Sequence, residues 1–218
     1  MNKPPSKKAK LLEKLTKPRL YHVPGYCSEI ICNIIHILGI EEKIEIVDVD
    51  AETIKTPEYL SLNPHGTVPL FCHDDQNMVE SGAIGIYIAH KYQNNKKLLP
   101  MEHFAEALQW VFYTIVTLYE SVTRPVMLCK GFFKDKIGCE PNFELVKARW
   151  EDLVAPFIEK SLGNSTFILG NELSLPDLYL YNKLAYLRAN DFFKNHPTIE
   201  KYYTNVEKRI AELKSEKH

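Results

Sequence analysis

The run Thr67-Val68-Pro69-Leu70-Phe71-Cys72 reads as a strand with a proline where a central strand should not accept one. Proline has no N–H for a ladder, so within sheets it is confined to edges, strand starts and bulges. Asn63-Pro64-His65-Gly66 supplies a turn just before this run, and Val79-Glu80-Ser81-Gly82-Ala83-Ile84 places an acid beside a helix start shortly after it. The backbone at Val68 is therefore expected to turn its polar groups toward something other than a neighbouring strand. A cis Val68-Pro69 bond is also expected, because cis peptides are essentially a proline phenomenon and sit in tight turns.

At 218 residues, the chain has room for one large domain or two smaller ones, each with its own core. Its formal net charge of −1 hides a basic N-terminus: residues 1–17 carry six lysines against Glu13, which leaves the remainder near −6. That balance gives no general footprint for nucleic acid. No apolar run approaches the ~18–20 residues of a membrane span, and the nearest, Ile30 to Ile40, is interrupted by Asn33, His36 and Gly39. The N-terminus lacks the apolar stretch of a secretory signal, so a cytoplasmic protein is expected. Five cysteines (27, 32, 72, 129 and 139) without a C-x-x-C pair read as free thiols in a reducing compartment. No metal site is expected, since Cys27 and Cys32 have no second pair at ligand spacing.

Residues 1–17 read as a basic extension with a weak helical patch at Lys10–Thr16, either solvated or a partner-binding arm. Arg19–Val23 is a strand stopped by Pro24-Gly25. Ser28 then caps a helix with apolar positions Ile30, Ile31, Ile34, Ile35 and Leu38, ending at Gly39. Residues 43–50 alternate apolar and charged residues, the pattern of a half-buried strand, and a strand-helix-strand order implies a right-handed parallel unit. Val68–Cys72 and Met78–Glu80 are the expected third and fourth strands, joined by a turn over 73–77, with a long helix from Ser81 to Tyr92. Residues 94–100 form a polar linker between a first domain, 18–93, and a second, 101–218. Beyond the linker the period-two signal disappears. Phe104, Leu108, Val111, Ile115, Leu118 and Val122 keep helical spacing, further helices follow to Lys214, and Arg124-Pro125 marks a kink or a helix end. The fold class is thus a mixed four-strand α/β domain followed by an all-α domain.

Three motifs, in order, carry a resemblance: Asn-Pro-x-Gly-x-Val-Pro at 63–69, Glu-Ser-x-Ala-Ile-x-x-Tyr at 80–87, and the helix-start box Ser-x-x-Asp at 174–177. Over about residues 18–215 the chain resembles the glutathione S-transferases, which implies a thioredoxin-like first domain. Pro24-Gly25-Tyr26-Cys27-Ser28 is similar to the first-helix start of the bacterial beta class, where a cysteine forms a mixed disulfide with glutathione. The chain departs from that class on the first long helix of the second domain: a histidine is expected about nine residues after a tryptophan, and here Trp110 leads to Tyr119.

The resemblance implies a transferase of alkyl or aryl groups, of the kind used in detoxification, with glutathione as co-substrate. The thiol would be held as thiolate for conjugation to an electrophile or for thiol/disulfide exchange. Lowering a thiol pKa by two units takes about 2.7 kcal/mol of preference for the anion, and the N-terminus of the helix near Ser28 offers part of it. Cys27, Ser28 and Tyr21 are the catalytic candidates. Cys27 is either a nucleophile activated at a helix N-terminus or a structural cysteine, Ser28 a thiolate contact or a plain cap, and Tyr21 a phenol that acts or merely packs under the sheet. Val68 offers backbone N–H and C=O to the cysteinyl part, and Pro69 keeps that edge open. Glu80 accepts the glutamyl ammonium, Ser81 and its helix N-terminus bind the glutamyl carboxylate, and Lys55 is the cation for the glycyl carboxylate.

Tyr119 is a candidate contact to the acceptor. Cys32 reads as core, His65 as a solvated loop histidine, and His22, His36, His73, His90, His103 and His196 receive no role. A homodimer is implied, with neither nucleic acid nor membrane as partner. Fold does not fix function, so a non-catalytic interaction module or a ligand-binding protein is the alternative.

Overall fold

A computed structural model describes residues 15–94, 97–130 and 142–216. Most of the basic extension, residues 1–14, lies outside them. The chain forms two compact units, divided between residues 96 and 97.

The first unit contains β1 (Arg19–His22), α1 (Glu29–Leu38), β2 (Glu45–Asp48), a 3₁₀ turn (Thr53–Lys55), α2 (Pro57–Leu62), β3 (Leu70–His73), β4 (Gln76–Met78) and α3 (Ser81–Lys91). Its sheet has the order β2-β1-β3-β4. β1 runs parallel to β2 and antiparallel to β3, so the expected mixed four-strand, thioredoxin-like sheet is present. All four residues of the central strand β1 are buried. α1 buries seven of its ten residues, Cys32 among them, and ends where Gly39, at φ 64°, turns its N–H back to the carbonyls of His36 and Ile35. A left-handed residue there satisfies carbonyls that the helix leaves unpaired.

The hairpin differs from the expectation. β3 starts at Leu70 rather than Val68, and β4 spans Gln76–Met78 rather than Met78–Glu80. The reversal is the two-residue turn Asp74-Asp75, with Asp74 at φ 52°. Aspartate tolerates that region of φ/ψ space, and the exposed Gln76 and Asn77 show no apolar alternation to betray a strand.

The second unit is helical among its described residues. α4 (Phe104–Phe112) continues without a break through a π-helical stretch, Tyr113–Thr123, into α5 (Arg124–Cys129). α6 (Phe143–Arg149) likewise runs through a π stretch, Trp150–Val154, into α7 (Ala155–Leu162), and α8 (Leu175–Arg188) and α9 (Pro197–Ser215) follow. The helix does not end at Arg124-Pro125. Each π stretch stops just short of a proline in the first turn of the next α segment, Pro125 and Pro156. A proline ring clashes with the carbonyl four residues earlier, and a locally widened turn moves that carbonyl aside without breaking the helix.

Trp150, fully buried, stacks on Phe193 and donates its indole N–H to the Phe192 carbonyl at 2.9 Å. Leu98 and Leu99 are buried, and the Leu98 carbonyl accepts from the Leu175 N–H at 2.6 Å. The helical unit therefore begins inside the stretch expected to be a linker.

Candidate functional site

β1 ends at His22, and six residues, Val23 to Ser28, carry the chain into α1. Gly25, at φ 79°, permits the tight reversal. The Tyr26 N–H donates to the Val23 carbonyl at 3.1 Å, and the Glu29 N–H to the Tyr26 carbonyl at 3.0 Å. This geometry sets Cys27 at the head of α1, half-buried, with its Sγ donating to the Val68 carbonyl at 3.1 Å. Two segments 41 residues apart in sequence meet in that contact.

The Val68 side is shaped by its own turn. Asn63, fully buried, donates from Nδ2 to the Thr67 carbonyl at 2.8 Å and accepts the His65 N–H on Oδ1 at 3.1 Å. Tyr59 donates its hydroxyl to the same Thr67 carbonyl at 2.7 Å. Gly66 has φ 60°, and a Cβ there would stand 3.0 Å from the Ile54 carbonyl oxygen, so the turn requires glycine. The Val68-Pro69 peptide is cis. Strand pairing with β1 starts at Leu70, opposite Tyr21, which leaves Val68 and Pro69 ahead of the ladder.

Glu80 and Ser81 form the start of α3. Glu80 is exposed at φ 70° and ψ 112°, and its side chain does not cap the helix. A non-glycine residue held in that conformation is unusual, and such residues cluster at binding sites. Ser81 is half-buried at the first position of α3, whose N-terminus is a favourable place for a carboxylate.

The other three sequence-based candidates of the first unit have these surroundings. Ser28 has a helical φ of −63° and makes no side-chain cap. Its fully buried hydroxyl accepts the Val23 N–H at 3.2 Å, reaches the Val23 carbonyl at 3.3 Å, and lies 2.9 Å from His22 Nδ1. It is a brace for the Cys27 turn. Tyr21 is buried edge-on against Tyr59 in the core beneath the sheet, and burial raises its phenol pKa, the wrong direction for an ionised catalyst. Lys55 is exposed and pairs with Glu52 at 3.2 Å.

In the second unit, Tyr119 lies on the π stretch with Lys183 Nζ 4.8 Å from its ring centroid. Burial pushes the Cys72 thiol up to about 11, in keeping with a structural cysteine.

Two of the histidines denied a role from sequence have carboxylate partners in the fold. His22 Nε2 also lies 3.6 Å from Glu29, and His196 sits between Glu151 and Glu159 at 3.1 and 3.3 Å. The His22–Ser28 contact, six positions apart, had no sequence signal beyond two polar residues flanking a Pro-Gly turn. Among the described residues, no group of three or more His, Cys, Asp or Glu side chains could hold a metal ion. Among the described residues, no helix is long and apolar enough to cross a membrane.

A thioredoxin-like unit presenting a thiol to the residue before a cis proline, followed by a helical unit, defines a protein class. The model of the glutathione S-transferase N-terminal domain matches residues 18–90, and that of the glutathione S-transferase C-terminal domain matches residues 145–214. Glutathione S-transferase D6 of Drosophila melanogaster is 26% identical over 159 residues, covering 70% of this chain and 69% of that protein. A delta-class glutathione transferase of Nilaparvata lugens superposes with a TM-score of 0.72 at 24% identity, over 87% of this chain and 88% of that one. Human glutathione transferase theta-2, solved with glutathione, superposes at 0.74 with 24% identity, over 90% and 84%. The chain belongs to the glutathione S-transferase superfamily.

Proposed function

We propose that the chain is a glutathione transferase in which Cys27, rather than Ser28 or Tyr21, is the reactive group of the protein, favouring thiol/disulfide exchange beside conjugation. The supporting observation is the 3.1 Å contact from Cys27 Sγ to the Val68 carbonyl, which puts a half-exposed thiol at a helix N-terminus and beside the peptide edge. Val68 pairs with the cysteinyl backbone of glutathione, Pro69 keeps that edge clear of the sheet, and Glu80 and Ser81 take the glutamyl ammonium and carboxylate. Lys55 is the candidate for the glycyl carboxylate and Tyr119 for the acceptor. The solved neighbours described above carry delta and theta class names, so the beta-class likeness of residues 24–28 enters only through this cysteine.

Exchange proceeds by attack of the Cys27 thiolate on the glutathionyl sulfur of a mixed disulfide. The substrate leaves as its thiol after taking a proton, and glutathione then resolves the enzyme-bound disulfide. Measured on a glutathione mixed disulfide and on an aryl halide, Cys27→Ala is expected to lower exchange at least about a hundredfold while conjugation persists. Exchange at the unchanged rate would exclude the cysteine. Failure of the chain to bind immobilised glutathione would exclude the transferase reading.

A further inference from the structure

The hydrogen bond that marks the site also restrains it. Cys27 donates its S–H to the Val68 carbonyl at 3.1 Å. A donor bond of this kind stabilises the neutral thiol, because a thiolate has no proton to give and would face the carbonyl lone pairs. The glutathione reading assigns that same carbonyl to the cysteinyl N–H of the ligand. The Cys27 sulfur already stands 3.1 Å from that carbonyl oxygen, where the ligand's N–H would have to approach.

We propose that glutathione and the Cys27 thiol compete for the Val68 carbonyl, so that ligand binding releases the thiol to ionise. The inference rests on the reading of Val68 as the cysteinyl-binding backbone. On binding, the S–H···O=C bond is exchanged for an N–H···O=C bond from the ligand, and the freed thiol loses its proton to solvent. The head of α1 then favours the anion. The nucleophile is thereby quiet until a glutathionyl group, such as that of a mixed disulfide, is seated, which protects it from adventitious oxidation. Ser28, braced by Val23 and His22, keeps the turn in place through the exchange.

Linkage makes the device measurable. If ligand binding favours ionised Cys27, ionised Cys27 favours the ligand by the same factor. S-methylglutathione, which has no thiol and forms no disulfide, serves as the probe in calorimetric titrations between about pH 6 and 9, the range that brackets a cysteine. In the wild-type chain the Kd is expected to tighten about three- to tenfold as pH rises, the range one net hydrogen bond allows. Cys27→Ala, with no competing donor, should bind tightly at the acid end and show only the residual slope of other groups. Those groups are His22 on β1, Tyr26 in the turn, Glu29 on α1, His65 in the proline turn and Glu80 before α3, and the difference between the two proteins cancels them.

Cys27→Ser keeps a donor that does not ionise in this range, so it should bind weakly throughout. Equal pH dependence in the wild type and Cys27→Ala, or tight binding by Cys27→Ser, overturns the competition while leaving the glutathione reading intact. Absence of binding by all three proteins at millimolar probe overturns that reading and the competition with it.

Discussion

Ser28 shows how a single side chain is reassigned by its surroundings. A serine ahead of an apolar helical run is a cap by local rules, and every residue needed for that reading is present. In the fold, the turn from β1 brings Val23 and His22 back over the serine, and its hydroxyl serves them instead of the first amides of α1. His22 was illegible for the same reason: its partner lies six positions away through a reversal whose geometry depends on Gly25. Ser28→Ala leaves the buried Val23 N–H without its acceptor and is expected to cost about 1–3 kcal/mol, read as a lower urea midpoint at an unchanged m-value. Disulfide exchange should slow in parallel, because the neighbouring Cys27 loses its brace. Cys27 and Val68 could each be marked from sequence. Their contact could not, since nothing local specifies the approach of residues 41 positions apart.

Among the elements, those with strong local periodicity were readable. The isoleucine-rich α1, stopped by Gly39, and the alternating residues of β2 appear within a few positions of where their patterns place them. β4 was displaced because an exposed edge strand carries no apolar alternation, and the π stretches were invisible because their residues keep ordinary helical spacing. Only Pro125 and Pro156 hinted at them.

The box at 174–177 was legible and proves richer than its motif. Asp177 accepts from the Ser174 N–H, the Ser174 hydroxyl, the Ile168 N–H and the Tyr202 hydroxyl, tying α8 to the preceding loop and to α9. Burial raises its pKa while these donors hold it down. Asp177→Asn swaps one acceptor for an NH₂ that must face donors. A loss of about 2–4 kcal/mol is expected, measured by equilibrium unfolding.

At the scale of the molecule, each unit has its own core, and the candidate glutathione residues all belong to the first. The family relation leads us to propose a homodimer. The first helical run of the second unit leaves Phe112 and Val116 about half exposed, one turn apart. Sedimentation equilibrium is expected to give twice the chain mass, and Phe112→Glu with Val116→Glu to give the monomer with the far-UV spectrum preserved.

The order of elements and the class of each domain were determined by the sequence alone, and the segments proposed to bind glutathione could be marked in it. They depend on short-range physics: period-two and helical spacing, proline in a strand, glycine at a helix end, and a serine-aspartate box. The tertiary structure decided what those segments do to one another. It turned Ser28 inward, sent Tyr21 into the core, paired Lys55 with Glu52, and set Cys27 against Val68. Such contacts follow from the packing of α1 and the cis-proline turn around a shared sheet, and a hydrogen bond a few ångströms long is fixed only when both sides are held by the whole unit.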